Sequence, residues 1–308
     1  MTQVEVPDQP LHKLPVFQVV QEAYGLFFLY LRYLPQAVLL PALLAVPLYW
    51  VYLQHMKQVL ADPAGVSGQG LFLTAINLGF LLIFLLFYVS WYRLCLLGPE
   101  AGRPPLFPLP NRRYWRFLGY TFLMVVVCIV ITVLGTLPII IVGIVVGGLT
   151  GMSGPEPEVP VLAGVLMALC GLLLLVLLIF VMLRLSFIFP ATAVDENYTP
   201  RNSWSHTKGQ ALRLFFTLLM TCLPMYLVLM AVNFALAPSL FEPTDQQPFQ
   251  DPALVIEEIE SQFVASMLLG FPLGLAFTAL FVGTVAAAFR AVTGWYPAPL
   301  GAPEAQGD

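Results

Sequence analysis

Charge is what this sequence has least of. Of its 308 residues only 10% are Asp, Glu, Lys or Arg, while 59% are hydrophobic. Soluble domains carry about 25% charged residues, so a soluble fold is excluded and a polytopic membrane protein is the class that fits. Cysteine is scarce too. Cys95, Cys128, Cys170 and Cys222 all lie in or beside apolar runs, and no two stand at metal-ligand spacing. They read as small apolar residues, not as a disulfide framework or a metal site. The opening MTQVEVPDQPLHKLP lacks the basic start, short apolar core and small-residue cleavage site of a signal peptide, so the first span is expected to be retained.

Also missing are ionisable residues at mid-span. Placing a charge at the bilayer centre costs at least about 2.5–3.5 kcal/mol and is kept only for use. Here every Asp, Glu, Lys and Arg falls in a loop or near a span end. The polar residues at mid-span are Asn77, Thr132, Thr136, Thr221, Thr278 and Thr284. Asn77 is the candidate for a hydrogen bond between helices. No proton relay, intramembrane His–Asp pair or HExxH motif occurs. His12, His55 and His206 fall on different segments or sides, so a three-His metal site is not supported. No catalytic residue, cofactor or metal is assigned, and nothing points to a nucleic acid.

What is present is six long apolar runs, roughly 34–54, 70–97, 115–149, 161–189, 210–237 and 263–290. At 1.5 Å per residue, about 20 residues cross a hydrocarbon core of about 30 Å, so each run suffices. The third is longer than needed and must tilt, protrude or bend, with Pro138 as a bend point. The expected fold is all-α: one domain over 15–290, with six transmembrane helices arranged as three hairpins and short interfacial helices added. A flexible tail is expected at 1–14 and a Pro/Gly-rich disordered one at 291–308.

Positive charge gives the orientation. Lys13, Arg32, Arg93, Arg103, Arg112, Arg113, Arg116, Arg184, Arg201, Lys208, Arg213 and Arg290 fall on one side of this span pattern, and Lys57 alone on the other. By the positive-inside rule both termini are expected to be cytoplasmic. The opposite side is acidic. PSLFEPTDQQPFQDPALVIEEIESQF carries Glu242, Asp245, Asp251, Glu257, Glu258 and Glu260 without a cation. Its second half starts with Asp then Pro, which predicts a short outer helix; no calcium-loop spacing is present.

The starts of the first, third and fifth spans read YLRYLP, YWRFLGY and ALRLFF, and the ends of the second, fourth and sixth read WYRLCL, MLRLSF and AFRAVT. Each hairpin is thus opened and closed by an Arg: Arg32 and Arg93, Arg116 and Arg184, Arg213 and Arg290. Either the hairpins repeat, or headgroup anchoring has placed Arg and aromatics at every helix end. The expected partners of Arg32 and Arg213 are Glu22, and Asp195 or Glu196. Gly143, Gly147 and Gly151, and Gly270 and Gly274, form GxxxG steps that predict close helix packing. Breaks by Pro35, Pro41, Pro47, Pro224 and Pro272 keep open the broken-helix sites of transporters.

Two polar segments interrupt the pattern. In DENYTPRNSWSHTKGQALR (195–213), Thr199-Pro200 is a helix start. Trp204, Thr207, Ala211 and Leu214 recur at helical spacing, with Arg201 and Lys208 directed elsewhere. This predicts a short interfacial helix with Trp204 at headgroup level and the cations towards anionic lipid phosphates; Gly209 marks the turn into the fifth span. Residues 15–33 read the same way, Val16, Val19, Val20, Ala23 and Phe27 opposing Gln18, Gln21 and Glu22. A tilted extension of the first span is the competing form.

The run FPATAVDENYTPRNSWSHTKGQALRLFF, with WYRLCLLGPEAGRPP and NRRYWRFLGY before it, resembles uncharacterised bacterial six-helix membrane proteins. These are grouped with the membrane domain of glycerophosphoryl diester phosphodiesterases. The resemblance covers about 85–220 and implies an inner-membrane bundle. No barrel-length soluble region accompanies it, so the phosphodiesterase activity is not implied. The leading expectation is a non-enzymatic scaffold, assembly factor or accessory subunit whose basic face meets anionic headgroups or a membrane-protein partner. The alternative is a small-molecule or lipid transporter with a cavity among Pro/Gly-kinked spans. A deep polar cavity favours transport, a tightly filled bundle the scaffold.

Overall fold

In hydrocarbon, long apolar segments satisfy their backbone by helical hydrogen bonding, and the computed structural model has that form. It describes residues 13–61, 69–102, 111–149, 161–236 and 269–296. Among these no strand occurs. The helices are α1 (Val16–Tyr30), a 3-10 turn (Leu31–Tyr33), α2 (Leu34–Ala61), α3 (Gln69–Gly102), α4 (Arg112–Leu149) and α5 (Val161–Leu185). They continue with α6 (Ile188–Ala193), α7 (Pro200–His206), α8 (Ala211–Leu236) and α9 (Phe271–Thr293). Six stretches are long and apolar enough to cross a membrane: α2 joined to α1, α3, α4, α5 extended through α6, α8 and α9. The protein is an all-α, multi-pass membrane protein. The predicted outer helix, the first residues of the sixth run and Arg103 lie outside the described residues.

The spans pair in sequence as α2–α3, α4–α5 and α8–α9, so three hairpins form. They are not equivalent. α9 carries GTVAAAFRA near its end, and these small side chains let α1, α3 and α8 close around it. Ala279, Val282, Ala286, Ala287 and Ala288 are fully buried there, and the Trp91 indole of α3 donates to the Ala279 carbonyl at 2.9 Å. Of the most apolar stretch of α9, 56% is buried, against none of that of α4 and 6% of that of α5. The α4–α5 hairpin is therefore peripheral, and α9 is the axis of the core.

The arginine-bearing helix ends all lie at one end, called here the basic end. α1 crosses it obliquely. Its Leu14 amide donates to Gln210 Oε1 at 3.1 Å, Tyr24 reaches the Thr221 carbonyl, and the Tyr30 hydroxyl lies beside Gly98. Val19, Ala23 and Tyr30 are buried while Gln18, Gln21 and Glu22 are exposed, the face predicted from spacing. A 3-10 turn then lies between α1 and α2. Leu14 is buried and Trp295 is bonded, so ordered packing passes both expected tail boundaries.

At its basic end α3 breaks at Gly98, whose φ of 74° and ψ of 178° fit glycine alone. Pro99 follows, and residues up to Gly102 fold back so tightly that a Cβ there would lie 2.3 Å from the Arg93 carbonyl oxygen. α9 stops at Gly294, left-handed at φ 65°, whose amide caps the Arg290 carbonyl at 2.9 Å.

Candidate functional site

Two features stand out: a network at the basic end and an apolar trough beneath it. In the network, arginines at helix ends meet carbonyls and acids. Arg93 donates to the carbonyls of Ala193 (3.2 Å) and Ala101 (3.4 Å), joining α3 to α6 and to its own folded-back end. Arg184 donates to the Trp204 carbonyl at 2.9 Å and lies 5.0 Å from the Phe180 and Trp204 ring centres, a cation between two aromatic faces. Its own carbonyl accepts from Ser203 (2.7 Å) and Thr207 (3.3 Å), which pins α7 under α5. Arg290 bonds Glu22 of α1 at 2.5 Å, and Arg113 pairs with Asp195.

These pairings correct two expectations. Glu22 serves Arg290, not Arg32, because α1 crosses α9 and turns Glu22 towards it. Arg32 lies in the 3-10 turn, exposed, with its guanidinium 4.8 Å from the Tyr33 ring. Asp195 and Glu196 do not reach Arg213. Asp195 takes φ 64° at the chain reversal after α6 and faces Arg113, while Glu196 accepts from the Trp295 indole at 2.7 Å. Arg112, Arg201, Lys208 and Arg213 are exposed and Arg116 is half-buried. None of the five is paired with a carboxylate among the described residues.

The segment after α6 folds as its sequence predicts. Thr199 caps α7, its hydroxyl accepting from the Asn202 amide at 3.3 Å, with Pro200 in the first turn. Gly209 adopts φ 73° at the turn into α8. Trp204 packs edge-to-face on Phe180, with centroids 6.1 Å apart, and stays 42% exposed. The side chains facing inward are Ser203 and Thr207, both fully buried. Sequence reasoning missed Ser203; its only signal was the four-residue spacing to Thr207. Tyr198 and His206 Nδ1 meet at 2.7 Å. Burial holds the His206 imidazole below its ordinary value and pushes the Tyr198 phenol well above its own.

The predicted packing glycines fare unevenly. A Cβ on Gly143 would touch Met167 at an ordinary 3.6 Å, and one on Gly274 would meet nothing within 4 Å. Gly270 is the N-cap position of α9; the surroundings of Gly147 and all of Gly151 lie outside what is described. Closer approaches occur elsewhere. A Cβ on Gly135 would lie 2.4 Å from Leu174 and one on Gly79 2.9 Å from Leu48, while one on Gly283 would meet the Ala23 carbonyl oxygen at an ordinary 3.8 Å. Asn77 donates to the Leu73 carbonyl of its own helix at 2.8 Å, so it is not interhelical glue. The span threonines likewise bond carbonyls within their own helices.

The trough lies between the α4–α5 hairpin and the core formed by α3, α8 and α9. Its inner part has a volume of about 490 Å³. Tyr92 and Tyr88 of α3, Met124 of α4, Leu183 of α5, Leu218 of α8 and Val285 of α9 line it, among others. Its lining positions nearest the basic end include Phe117 and Phe189, whose ring centroids are 5.0 Å apart. An outer groove of about 570 Å³ shares Thr121, Met124 and Met182 with the first and follows α4 to Val133. The lining holds no carboxylate, imidazole or amine, and none of the span prolines takes part. This cavity is apolar, unlike the deep polar one that would favour transport.

Among the described residues no three His, Cys, Asp or Glu side chains converge as metal ligands. No family model, curated protein or solved structure matches this chain.

Proposed function

We propose that the protein is a non-enzymatic scaffold or accessory subunit of a bacterial inner membrane, with both termini cytoplasmic. Its basic end engages the anionic headgroups of the cytoplasmic leaflet. One observation carries this reading: the cations divide into two sets. Arg93, Arg113, Arg184 and Arg290 are engaged inside the fold. Arg112, Arg201, Lys208 and Arg213 are exposed at the same end, with Trp204 beside them. Near an anionic leaflet each such cation contributes about 1 kcal/mol. The four therefore hold the bundle's depth and tilt with about 4 kcal/mol, a positioning role and not a catalytic one. The resemblance of residues 85–220 to six-helix inner-membrane proteins agrees with it.

The test compares thermal unfolding of the purified chain in nanodiscs with and without anionic phospholipid. The wild type is expected to be stabilised by the anionic lipid, and the combined variant Arg112→Gln, Arg201→Gln, Lys208→Gln, Arg213→Gln to lose that increment. A variant that keeps the full increment would refute the reading. The trough favours a second reading, lipid handling, through a site that the headgroup contacts do not involve.

A further inference from the structure

We propose that an acyl chain of a bilayer phospholipid occupies the trough between the α4–α5 hairpin and the α3–α8–α9 core. The proposal is independent of the headgroup reading, because the site recognises a hydrocarbon chain and no charge.

Three other occupants fit less well. A polar ligand finds few partners: the inner lining is apolar apart from four hydroxyls, of which Thr121 already donates to the Phe117 carbonyl at 3.0 Å and Ser186 to the Leu183 carbonyl at 2.8 Å. With so few polar groups in an apolar lining, such a cavity does not hold water, which needs several polar partners. A transmembrane helix from a second copy or another protein is too thick. A helix about 10 Å across fills the inner cavity of about 490 Å³ with roughly one turn. An empty trough is disfavoured as well, since its walls would forgo dispersion contacts that adjacent liquid hydrocarbon supplies.

A flexible chain meets every constraint. The outer groove joins the inner cavity through Thr121, Met124 and Met182. Its other α4 positions include Val125, Ile129 and Val133, 42%, 55% and 56% exposed and therefore lipid-facing in a membrane. A chain enters from that face and lies along α4 towards the Phe117–Phe189 pair. Methionine side chains at the junction adapt to an irregular apolar guest. The chain then supplies packing that the peripheral hairpin does not obtain from the core.

The experiment uses the full chain in phosphatidylcholine nanodiscs, a neutral headgroup that leaves the basic end out of the result. The lipid carries a mid-chain diazirine; irradiation expels nitrogen, and the carbene inserts into a neighbouring C–H bond. Mass spectrometry is expected to find adducts at Met124, Met182 and Leu218, at higher yield than at the outward Leu173 and Ile144. In a parallel native mass measurement after mild detergent extraction, the wild type and the outward variant Leu173→Trp retain a phospholipid, while Met124→Trp and Leu218→Trp lose it. Should the filled variants fail to fold, the wild-type labelling decides alone. Adducts confined to the outer faces, retention by folded filled variants, or a peptide segment cross-linked into the trough would overturn the proposal. None of these results alters the anionic-lipid increment, so the two readings fail separately.

Discussion

Protonation of His206 opposes the fold. The Tyr198 hydroxyl meets Nδ1 at 2.7 Å, and burial of the ring favours the neutral imidazole. Burial lowers the His206 value, so its contribution to stability is present above the ordinary 6.5 and is lost as pH falls through the lower folded value. Thermal unfolding between pH 7.5 and 5 should therefore show destabilisation on acidification, and His206→Gln should flatten that limb. An unchanged profile in the variant would remove His206 from the account. Glycines give a second prediction. At Gly283 the neighbour is the Ala23 backbone oxygen, which cannot step aside, so Gly283→Leu should overpack the α1–α9 contact and cost about 1–3 kcal/mol. At Gly135 the neighbour is the tip of Leu174, a flexible end, so Gly135→Ala should cost far less. Chemical denaturation in mixed micelles compares the two. Sequence could not choose among the glycines: GxxxG spacing names a helix face, while the contact depends on which helix lies opposite. The Glu22 pairing was hidden for the same reason.

For elements, α7 shows what local chemistry determines. Thr199, Pro200 and Gly209 are a cap, a first-turn proline and a left-handed turn residue, and each occupies that position. Its docking is tertiary and rests on Ser203 and Thr207 bonding the Arg184 carbonyl. Ser203→Ala with Thr207→Val should leave this carbonyl without those donors, at about 1–3 kcal/mol. Amide hydrogen exchange over 200–206 should rise while α9 stays protected; unchanged exchange would show that α7 is held by something else. The six spans were legible because hydropathy measures the property that membrane crossing selects. The α1–α2 boundary was legible too: 15–33 reads as a separate amphipathic helix leading into a span from 34, and α2 starts at Leu34.

At the scale of the molecule, three hairpins were readable from end-of-span arginines, but their inequality was not. It comes from the small residues of α9, which attract neighbours and leave α4–α5 outside. The trough left no sequence signal either, because its lining has the same chemistry as a lipid-facing surface. The central claim is that the basic end faces the cytoplasm, where anionic headgroups meet the exposed cations. It is tested most directly by labelling single cysteines in intact cells with a membrane-impermeant maleimide, in a background lacking the four native cysteines. The account predicts that Lys57→Cys is labelled from outside and that Arg201→Cys is labelled only after the membrane is opened. External labelling of Arg201→Cys, with Lys57→Cys protected, would contradict it.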